Sequence, residues 1–282
     1  MKKLYGVIGH PIAHSMSPVM HNDAFTALEL PGYYHAFNIK PEDLEAAIKG
    51  MKAIGIAGFN VTIPHKSTII PLLDEIAPLA EAIGAVNTVI LKDGKWIGFN
   101  TDGHGFMSAL KQDWKSDLQK EKVLLVGAGG AAKAIYYTLA SEGVLSIDIC
   151  NRTLERGEHL AAGCPFPAET NALSLLEAES SLDQYTLIIQ TTSIGMSPKV
   201  KDTPLSLNKM KPGTFVSDII YNPFKTTFLQ QAQEKGALIQ NGLGMFVYQG
   251  ALAFEKWTGL TPDTERMRKI VIKQLGGYDV NR

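Results

Sequence analysis

Cysteine is scarce in this chain. Its 282 residues include two, Cys150 and Cys164, with no CxxC pair and no metal-ligand spacing. Two free thiols in a reducing compartment is the simpler reading, and no metal is expected. Long hydrophobic runs are missing as well. No stretch of about 18 apolar residues occurs, so no transmembrane helix is expected. No apolar h-region follows Met1, so no signal peptide is expected and the default location is the cytoplasm. Net charge is lacking too: 27 Lys and Arg face 28 Asp and Glu, a formal −1. Such a balance gives no general field to attract nucleic acid or an anionic membrane, and neither is expected as a partner. An anionic ligand must be held by local groups. Internal repeats and low-complexity segments are absent.

What is present is ordinary globular composition, 45% hydrophobic and 20% charged, at a length that fits one large domain or two ordinary ones. Short apolar runs alternate with amphipathic stretches, the pattern of βαβ units and a mainly parallel sheet. Strands are expected at Leu4–Ile8, Tyr33–Ile39 and Ile56–Thr62, and a hairpin at Thr88–Leu91 and Lys95–Phe99 turning at Asp93-Gly94. Helices are expected after Ser17, which would serve as N-cap, at Pro41–Met51 and near Pro71–Ile83. The polar stretch Gln112–Glu121 reads as a boundary. Beyond it come strands at Lys122–Val126, Ser146–Cys150, Leu187–Gln190 and Thr214–Asp218. Helices follow at Ala131–Glu142, Phe246–Trp257 and Pro262–Gln274.

The segment Val123–Ala132 is a buried strand running into a Gly-rich turn. Gly127, Gly129 and Ala132 fit G-x-G-x-x-[G/A] between a strand and a helix, the context that gives this motif meaning. Gly127 allows the tight turn, Gly129 lets the backbone approach a pyrophosphate, and the helix N-terminus offers free N–H groups to it. NAD sites place an acid about 20 residues further on, at the ribose 2′-hydroxyl. That count reaches Asn151 and Arg152, within Asn151-Arg152-Thr153-Leu154-Glu155-Arg156. A carboxylate would repel a 2′-phosphate, whereas Arg152 and Arg156 would attract one. The dinucleotide is therefore expected to be NADP rather than NAD.

Three other stretches are polar at expected strand ends: His14–Pro18, Phe59–Lys66 and Asn100–Gly103, with Ala85–Thr88 shortly before the last. In the second, Asn60 and Thr62 share a face because strand side chains repeat every two residues, and Lys66 follows in the loop. Ligands of open α/β sheets collect beyond the carboxyl ends of strands, and these amides and hydroxyls suit a small ligand rich in hydroxyls.

Taken together, these motifs resemble the shikimate/quinate dehydrogenase family. The matching stretches are Gly9–Pro18, Gly58–Lys66, Gly84–Thr88, Gly98–Gly103, the Gly127 loop, Asn151–Thr153, Gly242–Met245 and Tyr248–Ala251. The resemblance implies an α/β protein of two domains. An N-terminal α/β substrate domain with a mainly parallel sheet would span 1–104 and be completed by returning C-terminal helices, 242–282. A Rossmann-like NADP-binding domain would span 105–241. It implies NADPH-dependent reduction of 3-dehydroshikimate to shikimate, in aromatic amino-acid biosynthesis, with NADP(H) as cofactor and no metal.

By resemblance, Ser15 and Ser17 would bind the substrate carboxylate with Tyr221 nearby. Asn60, Thr62, Asn87, Asp102 and Gln249 would bind its ring hydroxyls, and Lys66 and Asp102 would form the catalytic pair. Gly127, Ala128, Gly129, Gly130 and Ala131 would hold the pyrophosphate, and Asn151, Arg152, Thr153 and Arg156 the 2′-phosphate. Ile219 and Gly242 would line the nicotinamide end. At Gln190 the family more often has Asn. A broader quinate/shikimate dehydrogenase and a non-catalytic NADP-binding sensor are the alternatives, and both a monomer and a homodimer fit.

Overall fold

The alternating apolar and amphipathic segments form two six-stranded sheets in the computed structural model, which describes residues 2–276. In chain order the strands are β1 (Lys3–Gly9), β2 (Gly32–Asn38), β3 (Gly58–Val61), β4 (Glu75–Ile76), β5 (Thr88–Lys92) and β6 (Lys95–Phe99). They continue with β7 (Lys122–Val126), β8 (Ser146–Cys150), β9 (Ala172–Leu173), β10 (Leu187–Gln190), β11 (Phe215–Asp218) and β12 (Leu238–Gln240). The helices are α1 (Ser17–Ala27), α2 (Leu44–Ala53), α3 (Pro78–Ile83), α4 (Asp102–Asp113) and α5 (Gly130–Ser141). After them come α6 (Leu154–Ala162), α7 (Leu175–Ser180), α8 (Thr227–Glu234), α9 (Leu243–Thr258) and α10 (Thr264–Gln274). The chain divides into two units, residues up to Thr101 together with Val247 onward, and Asp102–Phe246. Met1 and residues 277–282, the ends of the sequence-derived substrate domain, lie outside the described residues.

In the first unit the strand order is β2-β1-β3-β5-β6-β4. The β1 strand is parallel to β2 and β3, the β3-β5-β6 run is antiparallel, and β4 rejoins β6 in parallel. One face buries Ile8, Phe59, Val61, Val89 and Trp96 against Leu44, Ile48 and Met51 of α2. Aromatic rings fill another part of the unit: Tyr5 stacks on Phe25 at 5.0 Å, and Phe25 meets Phe254 of α9 at 4.8 Å.

The helix expected near Pro71–Ile83 is not continuous. A single 3-10 turn at Ile70–Leu72 leads into β4, and only α3 is helical. Proline lacks the N–H and clashes with the preceding turn, so Pro71 and Pro78 suit helix starts and not interiors. Between them Asp74 joins the sheet edge: its N–H donates to Trp96 O at 3.0 Å, and its carboxylate accepts from Trp96 N–H at 2.6 Å.

The second unit has the order β12-β11-β10-β7-β8-β9, every pairing parallel. Counted from β7, this is 6-5-4-1-2-3, the doubly wound arrangement for dinucleotides, whose order reverses between β7 and β10. Helices cover parallel sheets on both faces, which is why β7 reads KVLLV and β10 LIIQ with almost no alternation. The core joins Leu124, Ile188 and Val216 to Phe228, Leu229 and Ala232 of α8. Fully burying such a side chain is worth about 1.5–3 kcal/mol.

Candidate active site

Within the first unit, the polar strand ends converge on a hydrogen-bonded chain. Asn60, on β3, lies opposite Thr88 of β5 in the antiparallel register. Its Nδ2 donates to Asn87 O and to Thr88 Oγ1, each at 3.1 Å, and its Oδ1 accepts from the Tyr34 hydroxyl at 2.7 Å. Asn87 Oδ1 accepts from the Thr101 N–H at 2.8 Å, and Asn87 Nδ2 donates to Thr101 Oγ1 at 3.0 Å. The Thr101 hydroxyl donates onward to the backbone oxygen of Gln249 at 3.1 Å. Three residues expected at the substrate's ring hydroxyls, Asn60, Asn87 and Gln249, are thus joined in one network.

Lys66 is half-buried in the loop after β3. Three bonds fix that loop: Val86 N–H to Lys66 O at 2.7 Å, His65 N–H to Thr62 O at 2.9 Å, and the buried His65 ring to Ile39 O at 2.7 Å. Thr62 is half-buried at the same strand end. Ser17, buried, opens α1, whereas Ser15 is half-exposed before it. The expected N-cap role falls to neither side chain of Ser17 nor of Met16. The Ser15 hydroxyl accepts the Ser17 N–H instead, at 3.3 Å, because Ser17 is already the first helical residue.

The Gly-rich loop expected to hold the cofactor lies in the second unit, at the β7/β10 reversal. Gly127 has φ +113°, which L side chains avoid, and a Cβ there would meet Thr191 Oγ1 at 2.7 Å. Thr191 stitches the two strand ends, donating N–H and hydroxyl to Val126 O at 2.9 and 2.7 Å. A Cβ on Gly129 or Gly130 would meet nothing within 4 Å. That open face, with Ala128 between the two turning glycines and Ala131 in the first turn, fronts α5, whose N-terminus has no side-chain cap. Uncapped N–H groups and the helix dipole suit a pyrophosphate. Gln190, buried, folds back on its own loop, donating to Thr192 O and Ile194 O at 3.1 Å each. The longer amide therefore still closes the turn after β10.

At the end of β8, Asn151 Nδ2 donates to Thr153 O at 2.7 Å and shapes the turn into α6. Arg152 and Arg156 are both exposed there. Arg266 and Arg268 pair with Asp23 and Glu265, whereas among the described residues Arg152 and Arg156 have no carboxylate partner. Two unpaired guanidiniums beside a phosphate loop fit an extra phosphate, so the residues present match NADP.

Two further parts of this unit are placed by close approach. Asp102 lies at a helix start. It opens α4, and a Cβ on Gly103 would meet Thr138 Oγ1 of α5 at 1.9 Å. Glycine there lets α4 lie against α5. Beyond β11, Gly242 sits where a Cβ would meet Ile219 O at 1.9 Å, so these two expected nicotinamide residues are neighbours. The loop between them is tied by buried Asp218, which accepts from Ile220 N–H at 2.9 Å and the Thr226 hydroxyl at 2.7 Å. Burial pushes that carboxyl up to about 6, although both bonds pull it down. Tyr221 rides on this loop, its ring 5.0 Å from Phe246, and burial raises its hydroxyl.

Sequence reasoning missed Tyr34, Thr88, Thr101, Thr191 and Asp218. Thr88 and Thr101 each follow an amide that the motifs already contain. Tyr34, an aromatic on a strand, carries no such signal.

Three family models tile the chain: the shikimate dehydrogenase substrate-binding domain over residues 7–89, shikimate/quinate 5-dehydrogenase over 109–216, and the shikimate 5'-dehydrogenase C-terminal domain over 242–272. A shikimate dehydrogenase (NADP(+)) of Bacillus cereus is 58% identical over 98% of this chain and 100% of its own length. The chain belongs to the shikimate dehydrogenase family. A crystallised shikimate dehydrogenase in complex with NADP+ is 42% identical, with a TM-score of 0.90 over 97% of this chain and 96% of that one. The Thermus thermophilus shikimate 5-dehydrogenase, solved with NADP(H) and shikimate, is 36% identical, with a TM-score of 0.87 over 96% and 99%. The two-domain α/β fold of the shikimate dehydrogenases is the fold described above. Both cysteines are free thiols, and no described helix is long and apolar enough to cross a membrane.

Proposed function

We infer that this chain catalyses the reversible NADPH-dependent reduction of 3-dehydroshikimate to shikimate, a step of aromatic amino-acid biosynthesis, with Lys66 as its acid. The observation that carries the activity is the 58% identity to a shikimate dehydrogenase (NADP(+)) along essentially the whole chain. The unpaired Arg152 and Arg156 beside the Gly127 loop support the choice of NADP. When bound, the cofactor supplies or accepts the hydride.

The remaining chemistry belongs to the chain. During reduction, negative charge grows on the carbonyl oxygen of the substrate. The Lys66 ammonium stabilises that charge and gives its proton to the oxygen. Asp102 accepts a hydrogen bond from the neighbouring ring hydroxyl, and it opens a helix that Gly103 seats against α5. Asn60, Thr62, Asn87 and Gln249 hold the other hydroxyls, and the network through Thr101 keeps three of them in register. Ser15, Ser17 and Tyr221 take the carboxylate. Asn151, Arg152, Thr153 and Arg156 hold the 2′-phosphate, and Ile219 and Gly242 the nicotinamide end. Free thiols support a cytoplasmic setting, with burial pushing the Cys150 thiol up to about 12 and so keeping it unreactive.

The test is NADPH oxidation with 3-dehydroshikimate, beside kcat/KM for shikimate and quinate with NADP and NAD. Turnover with dehydroshikimate and preference for shikimate with NADP are expected. Absence of any NADPH oxidation would leave a binding protein in place of an enzyme.

A further inference from the structure

We propose that Tyr34, on β2, is a positioning residue for substrate, its buried hydroxyl holding the Asn60 amide so that this side chain offers the ligand one acceptor and no donor. The inference rests on the assignment of Asn60 to a ring hydroxyl and adds the polarity of that contact and the residue that sets it.

The amide orientation follows from its partners. Asn60 Nδ2 faces Asn87 O at 3.1 Å. A backbone carbonyl can only accept, so the atom beside it must be the nitrogen. The second N–H of that nitrogen goes to Thr88 Oγ1, also at 3.1 Å. Both donors are spent inside the protein. On the other side, Oδ1 has two lone pairs, and the Tyr34 hydroxyl donates to one of them at 2.7 Å. One acceptor site is left. A hydroxyl that remains a hydroxyl throughout the reaction can donate to it. The ketone oxygen that is reduced, or a carboxylate, cannot. Asn60 therefore sorts the face of the ring and directs the reacting carbonyl away from itself.

Tyr34 is suited to hold this contact because it is itself fixed at several points. It is wholly buried, and its ring stacks on His21 at 4.4 Å and lies 5.9 Å from the Trp257 ring. Asn22 of α1 clamps its backbone, accepting from Tyr34 N–H and donating to Tyr34 O, both at 2.8 Å. Burial raises the phenol well above its ordinary range, and Ser17 from the same helix offsets a part of that rise. The phenol thus stands against the side chain assigned to a ring hydroxyl.

Tyr34→Phe removes the hydroxyl and leaves the stacked ring. Steady-state kinetics of Y34F, N60A and the double variant test the idea, with shikimate and NADP varied in turn. For Y34F we expect the shikimate KM to rise about 10-fold, the cost of a lost buried hydrogen bond. The kcat and the NADP KM should stay within about two-fold. In the N60A background, adding Y34F should change the shikimate KM less than about two-fold, since the two side chains act as one unit. A shikimate KM that rises in N60A but not in Y34F overturns the role of Tyr34. So do independent, multiplicative effects, or a Y34F variant whose NADP KM shifts equally, which is what a merely structural role gives. An unchanged KM in N60A instead removes the assignment of Asn60, and the proposal with it.

Discussion

Replacing His21 by Phe should make the first unit more resistant to acid. His21 is 1% exposed on α1, and among the described residues neither ring nitrogen has a hydrogen-bond partner. Its ring is stacked on Tyr34, parallel to Phe254 at 6.1 Å and close to Trp257 at 5.3 Å. Burial holds it neutral and lowers its pKa from 6.5 to about 3. Between these values the unfolded chain binds a proton that the folded chain refuses. Stability is therefore complete above pH 6.5 and is lost as pH falls towards 3. At about 1.4 kcal/mol per pH unit, the loss between pH 7.5 and 4.5 is about 3 kcal/mol. Against a total of about 5–15 kcal/mol for a typical protein, that is a large share. Urea unfolding followed by tryptophan fluorescence at both pH values measures it. Any packing change caused by Phe is common to both and cancels in the difference. H21F should gain about 3 kcal/mol over wild type at pH 4.5 relative to pH 7.5. A stability difference that does not depend on pH would refute the buried neutral imidazole as its origin.

The catalytic and cofactor assignments give three more expectations. Lys66→Ala should lower kcat by about 10²–10⁴-fold with little change in KM, and near-normal kcat would end its assignment as the acid. Arg152→Ala and Arg156→Ala should each raise the NADP KM about 10- to 100-fold, as a lost charge-assisted bond does, while kcat/KM with NAD holds steady. Equal losses with both cofactors would show that the arginines do not read the 2′-phosphate. Gly127→Ala and Gly129→Ala should separate strain from cofactor contact. The first meets Thr191 and a forbidden φ and should cost about 1–3 kcal/mol in thermal unfolding. The second, with open space around it, should fold normally yet bind NADP poorly in a titration.

Much of this protein was readable along the chain. The β7–Gly127–α5 unit was, because a buried strand, a turning glycine and a helix start all lie within a dozen or so neighbours and obey local rules. The β5–β6 hairpin was also readable, its Asp93 and Gly94 both having positive φ. Other elements were not. The edge strands β9 and β12 have two and three residues, too short for any periodicity to show. The α4 helix was not read along the chain either: it opens on Asp102-Gly103, a pair common in turns, and Gly103 lets it pack on α5. The middle of the stretch at Pro71–Ile83 became the edge strand β4 before α3, with Asp74 bonded to Trp96, a partner far along the chain.

The sequence by itself determined which side chains are proposed to carry the chemistry: the loop glycines, the arginines after β8, and Lys66 with the strand-end amides Asn60 and Asn87. Motif and spacing suffice for the phosphate loop and the arginines because they are built from neighbouring residues, whereas the roles of Lys66 and the amides came from the family resemblance. Tertiary structure alone decided how those side chains are held. Tyr34 reaches Asn60 across 26 positions, Thr101 reaches the Gln249 backbone across 148, and Gly242 closes on Ile219. Such pairings follow from strand order and helix packing, which bring together residues that share no local pattern.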